Sequence, residues 1–404
     1  MNAICPIILT LNGGSSSIRF GLYRLDSSLE RLLHGKLERI GLGNPRLIYR
    51  QGAGAEHAQS CNLATDYAAA IAALLSWLDT QDAFKRVTAV GHRIVHGMQH
   101  RLPERVTQSL LSDLHRIVQL DPEHLPGEIA LIEALRIRTP ALAQVACFDT
   151  AFHQHMPLVA SQMAIPRRLA AKGVQRYGFH GLSYAYLLEE LRRIAGDEVA
   201  DGRVILAHLG NGASMAAVKN GVSIDTSMGF TPASGLPMGT RSGDVDPGLA
   251  AYLARTEHMI AAQFDAMINH ESGLLGISET SSDMGDLLAI EATDSRAAEA
   301  VALFCYQAKK QIGAYAAALG GLDTLIFTGG IGENAALVRT RICAGLNFLG
   351  IALDETHNGA NAAVISSDTG EVSVRVIRTD EELMIARSVC RVLGYPLQQG
   401  ATKQ

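Results

Sequence analysis

Short apolar runs that each end in glycine or small polar residues recur along this chain, and they constrain its fold more than any other feature. These runs have the length and composition of buried strands, and they lie at 7–11, 87–90, 144–148, 204–209, 324–328 and 372–377. Helical patterns at 66–78 and 297–319 alternate with them, which predicts an α/β protein. Because ligands of open α/β sheets bind outside the carboxyl ends of strands, the residues after these runs are the first candidates for a functional site.

One strand–turn–strand pattern occurs twice. The segments LTLNGGS (9–15) and AHLGNGAS (207–214) each join an apolar strand to a small polar turn, and a second apolar strand follows at 18–23 and 215–218. This repeat indicates a duplicated core, and the alternative is a coincidence between two glycine-rich hairpins. No linker rich in proline or serine separates the halves, so we expect two tightly joined domains.

Composition excludes several classes of protein. The chain has 404 residues, enough for two or three domains, and 48% hydrophobic with 19% charged residues is typical of a globular protein and too apolar for disorder. A formal net charge of −5 argues against a broad basic surface for nucleic acid, although it allows a local positive pocket. No apolar run approaches the roughly 18–20 residues that span a membrane, and no membrane partner is expected.

Two further features predict a cytoplasmic enzyme. The apolar start at residues 1–11 lacks a basic segment and runs into polar residues, so it is not interpreted as a signal peptide. The six cysteines are scattered without a C-x-x-C pair, which favours small, buried, reduced side chains over a disulfide framework or a zinc site.

Three loops of small polar residues predict contacts with an anion, since bare backbone N–H groups and hydroxyls can approach phosphate oxygens. They lie at 12–17, 225–248 and 329–334. Neither G-x-x-x-x-G-K-[ST] nor G-x-G-x-x-G occurs, so the common P-loop and dinucleotide-binding motifs are absent. Taken alone, the first loop is better explained as an ordinary hairpin turn, and the third is a weak signal because glycine turns are common. A loop as long and polar as the second is usually functional.

Charged side chains stand close to these loops and strand ends. Arg93 follows the run at 87–90, Asp149 follows 144–148, Arg241 lies in the long loop, and His180 is flanked by an aromatic residue and a glycine. Each one alone has a structural explanation. Together they match what phosphoryl transfer needs, namely cations for the equatorial oxygens, carboxylates for Mg²⁺ and positioning for in-line attack.

With these motifs in this order, the chain resembles the acetokinase family of the actin-like and sugar-kinase ATPase superfamily. The blocks that carry the resemblance are 12–17, 91–97, 148–153, 176–181, 225–247 and 327–334. The resemblance implies an α/β protein of two similar domains, each of actin-like (ribonuclease H-like) fold, with a cleft between them. One domain would span 1–150, with a C-terminal helix at 383–404 packing back on it. The other, 151–382, would bind nucleotide and form a homodimer.

The resemblance also implies a reaction, reversible and direct in-line transfer of a phosphoryl group from ATP to acetate with Mg²⁺, or alternatively Mn²⁺. The implied catalytic residues are Arg93, Asp149, His180 and Arg241. The implied nucleotide- and phosphate-binding residues are Arg19, His208, Gly210, Asn211, Gly212, Asp283, Gly330, Ile331, Gly332 and Asn334. The implied substrate-binding residues are Arg93, Val95, His124, Phe179 and Pro232. Asn12 and Glu381, together with Asp149, would organise the metal ion or its water molecules.

Three positions depart from the pattern of the resembled family. Arg19 stands where lysine is usual, Glu123 replaces a leucine expected at the substrate methyl group, and Gly285 replaces an arginine on the adenine side. An ionised glutamate facing a carboxylate substrate is unfavourable unless it is paired or turned away. The acceptor could therefore be propionate, butyrate or another small carboxylate.

Two alternatives lie outside carboxylate phosphorylation. A catalytically silent ATP-binding protein of actin type would not need the retained arginines and carboxylates. A metal hydrolase built on His153 and His155 lacks a zinc-like spacing of ligands.

Overall fold

The computed structural model describes residues 5–26 and 28–397 and divides the chain into two compact units. Unit 1 comprises residues 1–151 and 380–404 and unit 2 comprises residues 152–379, as far as they are described. The C-terminal helix predicted at 383–404 ends at Leu393, because Gly394 takes a left-handed conformation. Residues 398–404 of that prediction lie outside the described residues.

Unit 1 is built on one eight-stranded sheet with three helices from the first part of the chain. Its elements are β1 (Ile7–Gly13), β2 (Ser17–Leu25), β3 (Leu29–Glu38), β4 (Arg46–Gln51), β5 (Glu56–Ser60), α1 (Tyr67–Asp79), β6 (Val87–Ile94), β7 (Glu104–Arg105), α2 (Gln108–Ile117), α3 (Leu125–Arg138) and β8 (Ala143–Phe148). The strand order is β5-β4-β3-β2-β1-β6-β8-β7. β1 is buried along its whole length, because it pairs antiparallel with β2 on one side and parallel with β6 on the other.

Unit 2 is built on a five-stranded sheet and most of the helices. Its elements are α4 (Leu158–Ser161), α5 (Arg167–Ala170), α6 (Gly181–Ala195), α7 (Asp197–Ala200), β9 (Arg203–Leu209), β10 (Ala213–Lys219), β11 (Val222–Thr226), α8 (Gly248–Thr256), α9 (Ala261–His270), α10 (Gly273–Ser278), α11 (Met284–Ile290), α12 (Ser295–Leu319), β12 (Thr324–Thr328), α13 (Gly329–Asn334), α14 (Ala336–Cys343), α15 (Glu355–Gly359) and β13 (Ser373–Val376). The strand order is β11-β10-β9-β12-β13. Apolar residues of α6, such as Leu187 and Leu191, pack on this sheet.

The last helix, α16 (Glu381–Leu393), belongs to unit 1. Asp380 caps it by accepting the backbone N–H of Leu383 at 3.0 Å. The helix packs on β1 and β6, and at Gly91 an added Cβ would lie 2.6 Å from Cγ2 of Val389. Glycine at this position therefore allows the helix to lie directly on the sheet.

The two sheets share an order of five strands. In unit 1 the strands β3, β2 and β1 are antiparallel neighbours, and β6 and β8 continue in parallel with β1. In unit 2 the strands β11, β10 and β9 are antiparallel neighbours, and β12 and β13 continue in parallel with β9. The hairpin that the sequence repeats is therefore the β1–β2 hairpin in one unit and the β9–β10 hairpin in the other.

Three local predictions were wrong. β6 continues through Ile94, since its parallel pairing with β8 extends to Ile94 opposite Phe148, so Arg93 lies within the strand and not after it. The glycine turn predicted at 329–334 is the short helix α13. Cys5 and Cys61 are partly exposed, whereas the other four cysteines are buried as predicted.

Within the ranges 5–26 and 28–397, no helix has both the length and the apolar character needed to cross a membrane.

Candidate active site

Arg93 is the charged centre of a buried cluster in unit 1. Its guanidinium donates from Nε and Nη2 to Oδ2 of Asp149, at 3.0 and 2.7 Å. Nη1 donates to Oε1 of Glu128 at 3.0 Å and to the carbonyl of Gly13 at 3.1 Å. Burial opposes the charge of Arg93, but the two carboxylates outweigh burial and raise its pKa. Arg93 is therefore a fixed cation, and its planar fork is already oriented before any ligand binds.

The sequence does not point to Glu128, although its carboxylate is as central as that of Asp149. The side chain is fully buried on α3, and Oε2 accepts the backbone N–H of Val95 at 2.9 Å. Burial raises the pKa of Glu128 to about 8, against the opposing effects of Arg93 and of this hydrogen bond. One signal was visible in the sequence: Glu128 stands in the apolar stripe that continues at Ile132 and Leu135, where a charged residue needs a partner.

Asp149, Asn12 and Glu381 are the three residues predicted at the metal ion, and all three belong to unit 1. Asp149 directly follows β8, and burial raises its pKa, with Arg93 opposing and the negative charge of Glu381 adding to the rise. Asn12 lies on β1 and donates from Nδ2 to Oε2 of Glu381 at 3.0 Å. The structure thus brings the predicted metal-site residues of unit 1 into one electrostatically connected group.

The remaining predicted residues of unit 1 have different surroundings. Val95 directly follows β6 and is buried, with its backbone held by Glu128. The ring of His124 is hydrogen-bonded through Nδ1 to Oδ1 of Asp121 at 2.9 Å. Burial alone would raise the pKa of Asp121, but the hydrogen bonds and charge of His124 outweigh burial and lower it. Arg19 is exposed on β2 and pairs in register with Asn12.

In unit 2, the backbone before α6 takes an unusual path that places His180. His180 has a φ of 59° and Gly178 a φ of 74°, both in the left-handed region. The carbonyl of the intervening Phe179, which is buried, accepts from Nε2 of His153 at 3.2 Å, and Nδ1 of His153 lies 2.8 Å from Oγ of Ser223. Burial lowers the pKa of His153 to about 4. His153 thus holds this segment as a neutral ring with both nitrogens engaged, which argues against the metal hydrolase.

Two nitrogen donors border the bare backbone of Gly212. The ring of His180 stacks on that of His208, with centroids 4.2 Å apart. A Cβ added to Gly212 would lie 3.4 Å from Nε2 of His180 and 3.9 Å from Nη1 of Arg241. The same Nη1 donates to the carbonyl of Pro232 at 3.3 Å. Groups of this kind around a glycine can stabilise negative charge on an oxygen atom.

The glycine turn between β9 and β10 lies next to two other predicted segments of unit 2. Gly210 donates to the carbonyl of Gly212 at 3.0 Å, and a Cβ on Gly210 would lie 3.6 Å from the backbone nitrogen of Gly330. The carbonyl of Asn211 accepts from Gly239 at 2.9 Å. The turn therefore lies between the start of α13 and the long polar loop. All three segments have small side chains, so a ligand can approach their backbone.

The other predicted nucleotide residues lie on α13 or next to α11. The members on α13 are Gly330, Ile331, Gly332 and Asn334. Asn334 donates from Nδ2 to the carbonyl of Gly330 at 2.9 Å, and the buried Arg339 donates from Nη1 to that of Gly332 at 2.9 Å. Asp283 caps α11, because Oδ1 accepts two backbone N–H groups of its first turn at 2.7 and 3.2 Å.

Comparisons with known proteins agree with this geometry. The model of the acetokinase family matches residues 7–387. The chain is 44% identical to an acetate kinase of Rhodopseudomonas palustris (strain TIE-1) over 392 residues, which is 96% of this chain and 98% of the relative. It is 42% identical to a propionate kinase of Citrobacter rodentium (strain ICC168) over 392 residues, which is 95% of this chain and 96% of the relative.

A solved structure extends the likeness to the fold. The crystal structure of an acetate kinase from Porphyromonas gingivalis covers 96% of this chain and 100% of its own, with a TM-score of 0.85 and 38% identity. The predicted fold class, an α/β protein of the actin-like ATPase type, is therefore confirmed. The motifs, the two sheets and these matches lead to one conclusion: the chain belongs to the acetokinase family.

Proposed function

We propose that this chain transfers the γ-phosphoryl group of ATP directly to acetate and forms acetyl phosphate and ADP. In this step an acetate oxygen bonds to the γ-phosphorus while the bond from that phosphorus to the bridging oxygen of ADP breaks. The observation that carries the proposal is the pair of donors, His180 and Arg241, that faces Gly212. Family relatives named acetate kinases support acetate as the acceptor.

Each unit has its own part in this proposal. In unit 1, the oriented guanidinium of Arg93 binds an anionic oxygen of acetate or of the transferred group, and Val95 contributes apolar surface. In unit 2, His180 and Arg241 donate to equatorial oxygens, where charge develops in phosphoryl transfer. The turn at 210–212 and α13 bind the nucleotide phosphates, and Asp283 borders the nucleoside.

We propose Mg²⁺ as the metal ion. Within the described residues no group of three or more histidine, cysteine, aspartate or glutamate side chains could hold a metal. Mg²⁺ is commonly held through one or two carboxylates with water and substrate phosphates. The pair Asp149 and Glu381 fits this pattern, because their charges repel each other and a cation would relieve the repulsion. A bound ion would supply charge neutralisation, Asp149 and Glu381 would hold it, and Asn12 would steady the side chain of Glu381 through its hydrogen bond.

The proposal is tested by following acetyl hydroxamate in the presence of ATP, Mg²⁺, acetate and hydroxylamine. We expect rapid formation that depends on ATP, acetate and the metal, with hydroxylamine only trapping the acetyl phosphate. Arg241→Ala is expected to lower kcat by at least about 100-fold, since it removes a donor to the transition state. A purified, folded chain that forms no acyl hydroxamate with any carboxylate would exclude the function, and near-normal turnover by Arg241→Ala would exclude the role of Arg241.

Propionate is the second candidate acceptor, because several relatives at 40–42% identity are named propionate kinases. The two candidates are distinguished by kcat/KM for acetate, propionate and butyrate under the same conditions. Acetate is expected to be best, since Val95 narrows the space available for a longer chain. A higher kcat/KM for propionate would reassign the acceptor without changing the reaction.

We also propose a cytoplasmic homodimer. The family and the scattered cysteines support this assignment. Light scattering coupled to size-exclusion chromatography should give twice the chain mass of 43.1 kDa.

A further inference from the structure

The two stacked imidazoles of unit 2 each direct one nitrogen to a serine hydroxyl. Nδ1 of His180 lies 2.8 Å from Oγ of Ser214, and Nδ1 of His208 lies 2.9 Å from Oγ of Ser183. Nε2 of His180 is on the side of Gly212, at the donor pair described above. Because only a nitrogen that carries hydrogen can donate to a phosphate oxygen, the position of the ring hydrogen decides what each imidazole can do.

A buried tyrosine gives Ser214 a second hydrogen-bond partner besides His180. The phenolic oxygen of Tyr184, on α6, is hydrogen-bonded to Oγ of Ser214. Burial raises the pKa of Tyr184, so the phenol keeps its hydrogen and can donate it to Ser214. A Ser214 that accepts this hydrogen has one of its own to direct to Nδ1 of His180. Nδ1 is then an acceptor, and the hydrogen of the neutral ring is on Nε2. Tyr184, Ser214 and His180 are called the Tyr184 relay below.

The same arrangement recurs at the second imidazole. Oγ1 of Thr379 donates to Oγ of Ser183 at 2.9 Å. A Ser183 that directs its own hydrogen to Nδ1 of His208 leaves the ring hydrogen on Nε2. Thr379, Ser183 and His208 are called the Thr379 relay. Ser183 directly precedes Tyr184 on α6, so one helix serves both rings.

The stacking favours neutral rings independently of the relays. The planes are inclined by 16° and the centroids are 4.2 Å apart. Two cationic imidazoles at this distance would repel each other, and the cationic Arg241 borders the same glycine as His180. A neutral imidazole avoids this repulsion and still offers one N–H.

We propose that the Tyr184 relay and the Thr379 relay hold His180 and His208 as neutral imidazoles with hydrogen on Nε2, and that these hydrogens are donated to oxygens of the transferred phosphoryl group. The residues of the two relays that carry hydroxyl groups are thus positioning residues, namely Tyr184, Ser214, Thr379 and Ser183. The identity of the anion rests on the proposed function, whereas the position of the hydrogens does not.

The first experiment reads the tautomers directly. Two-bond ¹H–¹⁵N correlation spectra of the full chain with ¹⁵N-labelled histidine distinguish hydrogen on Nε2 from hydrogen on Nδ1, and the variants His180→Gln and His208→Gln assign the two rings. At pH 8 without ligand we expect both rings to be neutral with hydrogen on Nε2. Hydrogen on Nδ1 of either ring, or a cationic ring, would overturn the proposal. Since the spectrum needs no turnover, its outcome is independent of which carboxylate is the substrate.

The second experiment removes one hydroxyl. Tyr184→Phe keeps the aromatic ring but frees Ser214 to accept hydrogen from Nδ1 of His180. We expect a population of the Nδ1–H tautomer at this ring and a kcat about 3- to 10-fold lower, which corresponds to the loss of one hydrogen bond. KM for acetate should stay within about 2-fold, because the relay orients a donor and does not bind the carboxylate.

Tyr315→Phe is the matched control, since it removes another buried phenolic hydroxyl from unit 2. We expect it to leave the His180 tautomer and kcat unchanged. A Tyr184→Phe variant with an unchanged tautomer would overturn the proposal, and so would a fall in kcat no larger than that of the control.

Discussion

The two units carry different kinds of polar site on the same order of five strands. In unit 1, Arg93 is oriented by the buried carboxylates of Asp149 and Glu128. In unit 2, Arg241 donates to the carbonyl of Pro232, and neutral hydroxyls engage the histidines. The order of the strands therefore determines where in each unit the candidate residues lie. The partners of each residue determine how much its substitution lowers the free energy of unfolding. Removing Arg93 leaves buried carboxyl groups without their cation, whereas removing the hydroxyl of Tyr184 or Ser214 breaks neutral hydrogen bonds.

The largest expected difference is between the two arginines. Arg93→Met leaves the buried carboxyl groups of Asp149 and Glu128 without their cation, and we expect the free energy of unfolding to fall by about 3–5 kcal/mol. For the bonds of Arg241 to the carbonyl of Pro232 and the sulfur of Met238, the loss expected in Arg241→Met is about 1 kcal/mol. Both should lower kcat by at least about 100-fold. Urea unfolding and the hydroxamate assay measure the two effects separately.

Arg50→Met on β4 is the control for loss of an arginine. Its ion pair with Glu56 is 3.4 Å long and half exposed, so the loss should be under about 1 kcal/mol. Equal destabilisation by Arg93→Met and Arg241→Met would show that the buried carboxyl groups around Arg93 do not make its loss more costly than the loss of Arg241.

The next prediction concerns the pH dependence that Glu128 gives to unit 1. Its pKa is about 8 in the folded chain against an ordinary value of 4.5. Between these values the folded state holds a proton that the unfolded state has released, so the stability contributed by this group falls as pH rises. Glu128→Gln removes the titration. We expect the wild-type stability to decline by roughly 1–3 kcal/mol more than that of the variant between pH 5 and 8.5. Urea unfolding at four pH values measures this decline.

Glu133→Gln is the matched control on the same helix. Its side chain is 46% exposed and pairs with the exposed His115, so solvent screens the pair and we expect the decline between pH 5 and 8.5 to differ from that of the wild type by less than about 0.5 kcal/mol. If the stability of Glu128→Gln also falls with pH as steeply as that of the wild type, Glu128 does not titrate between pH 5 and 8.5. The folded chain would then hold this carboxyl in its ionised form throughout that range.

A smaller difference is expected between the glycines of the two repeated hairpins. A Cβ on Gly13 would lie 2.7 Å from the phenolic oxygen of Tyr67, too close without a shift of that ring. A Cβ on Gly212 would lie 3.4 Å from Nε2 of His180, which is ordinary contact. Gly13→Ala is therefore expected to cost about 1–3 kcal/mol by overpacking. Gly212→Ala should cost less than about 1 kcal/mol.

For kcat we expect the opposite order, with a larger loss in Gly212→Ala than in Gly13→Ala. The methyl group of Gly212→Ala fills the space beside the donors of His180 and Arg241, and we expect kcat to fall about 10-fold or more from a displaced phosphoryl group. The comparison is made between folded variants by calorimetry and the hydroxamate assay. Full activity of Gly212→Ala would mean that the transferred group does not approach this glycine.

The sequence predicts the parts of the site that depend on local pattern. Asp149 is visible because it follows a short apolar run, and the strand ends there as expected. Glu128 is not predicted, since its burial depends on the packing of α3 beside β6, which one sequence does not give. The end of β6 was placed too early because its last residues pair with β8, a strand about fifty residues away. Tertiary partners thus account for what local pattern could not predict.

The relay to His180 was missed for the same reason. Tyr184 and Ser214 are thirty residues apart in the chain, and although Ser214 ends the repeated segment 207–214, nothing in the sequence links it to Tyr184. The stacking of His180 on His208 likewise joins residues from a helix start and a strand.

The smallest expected effect concerns Asp283, the one carboxylate among the predicted site residues of unit 2. Its Oδ1 caps α11 through two backbone N–H groups, so Asp283→Ala should cost about 1 kcal/mol, whereas Asp283→Asn preserves most of the cap. Asp294→Ala is the matched control, because Asp294 caps α12 in the same way. If Asp283 also contacts the nucleoside, KM for ATP rises in both Asp283 variants and not in the control. If KM for ATP is unchanged in Asp283→Asn, the carboxylate serves only the helix, and unit 2 binds its ligand without using a negative charge at this position.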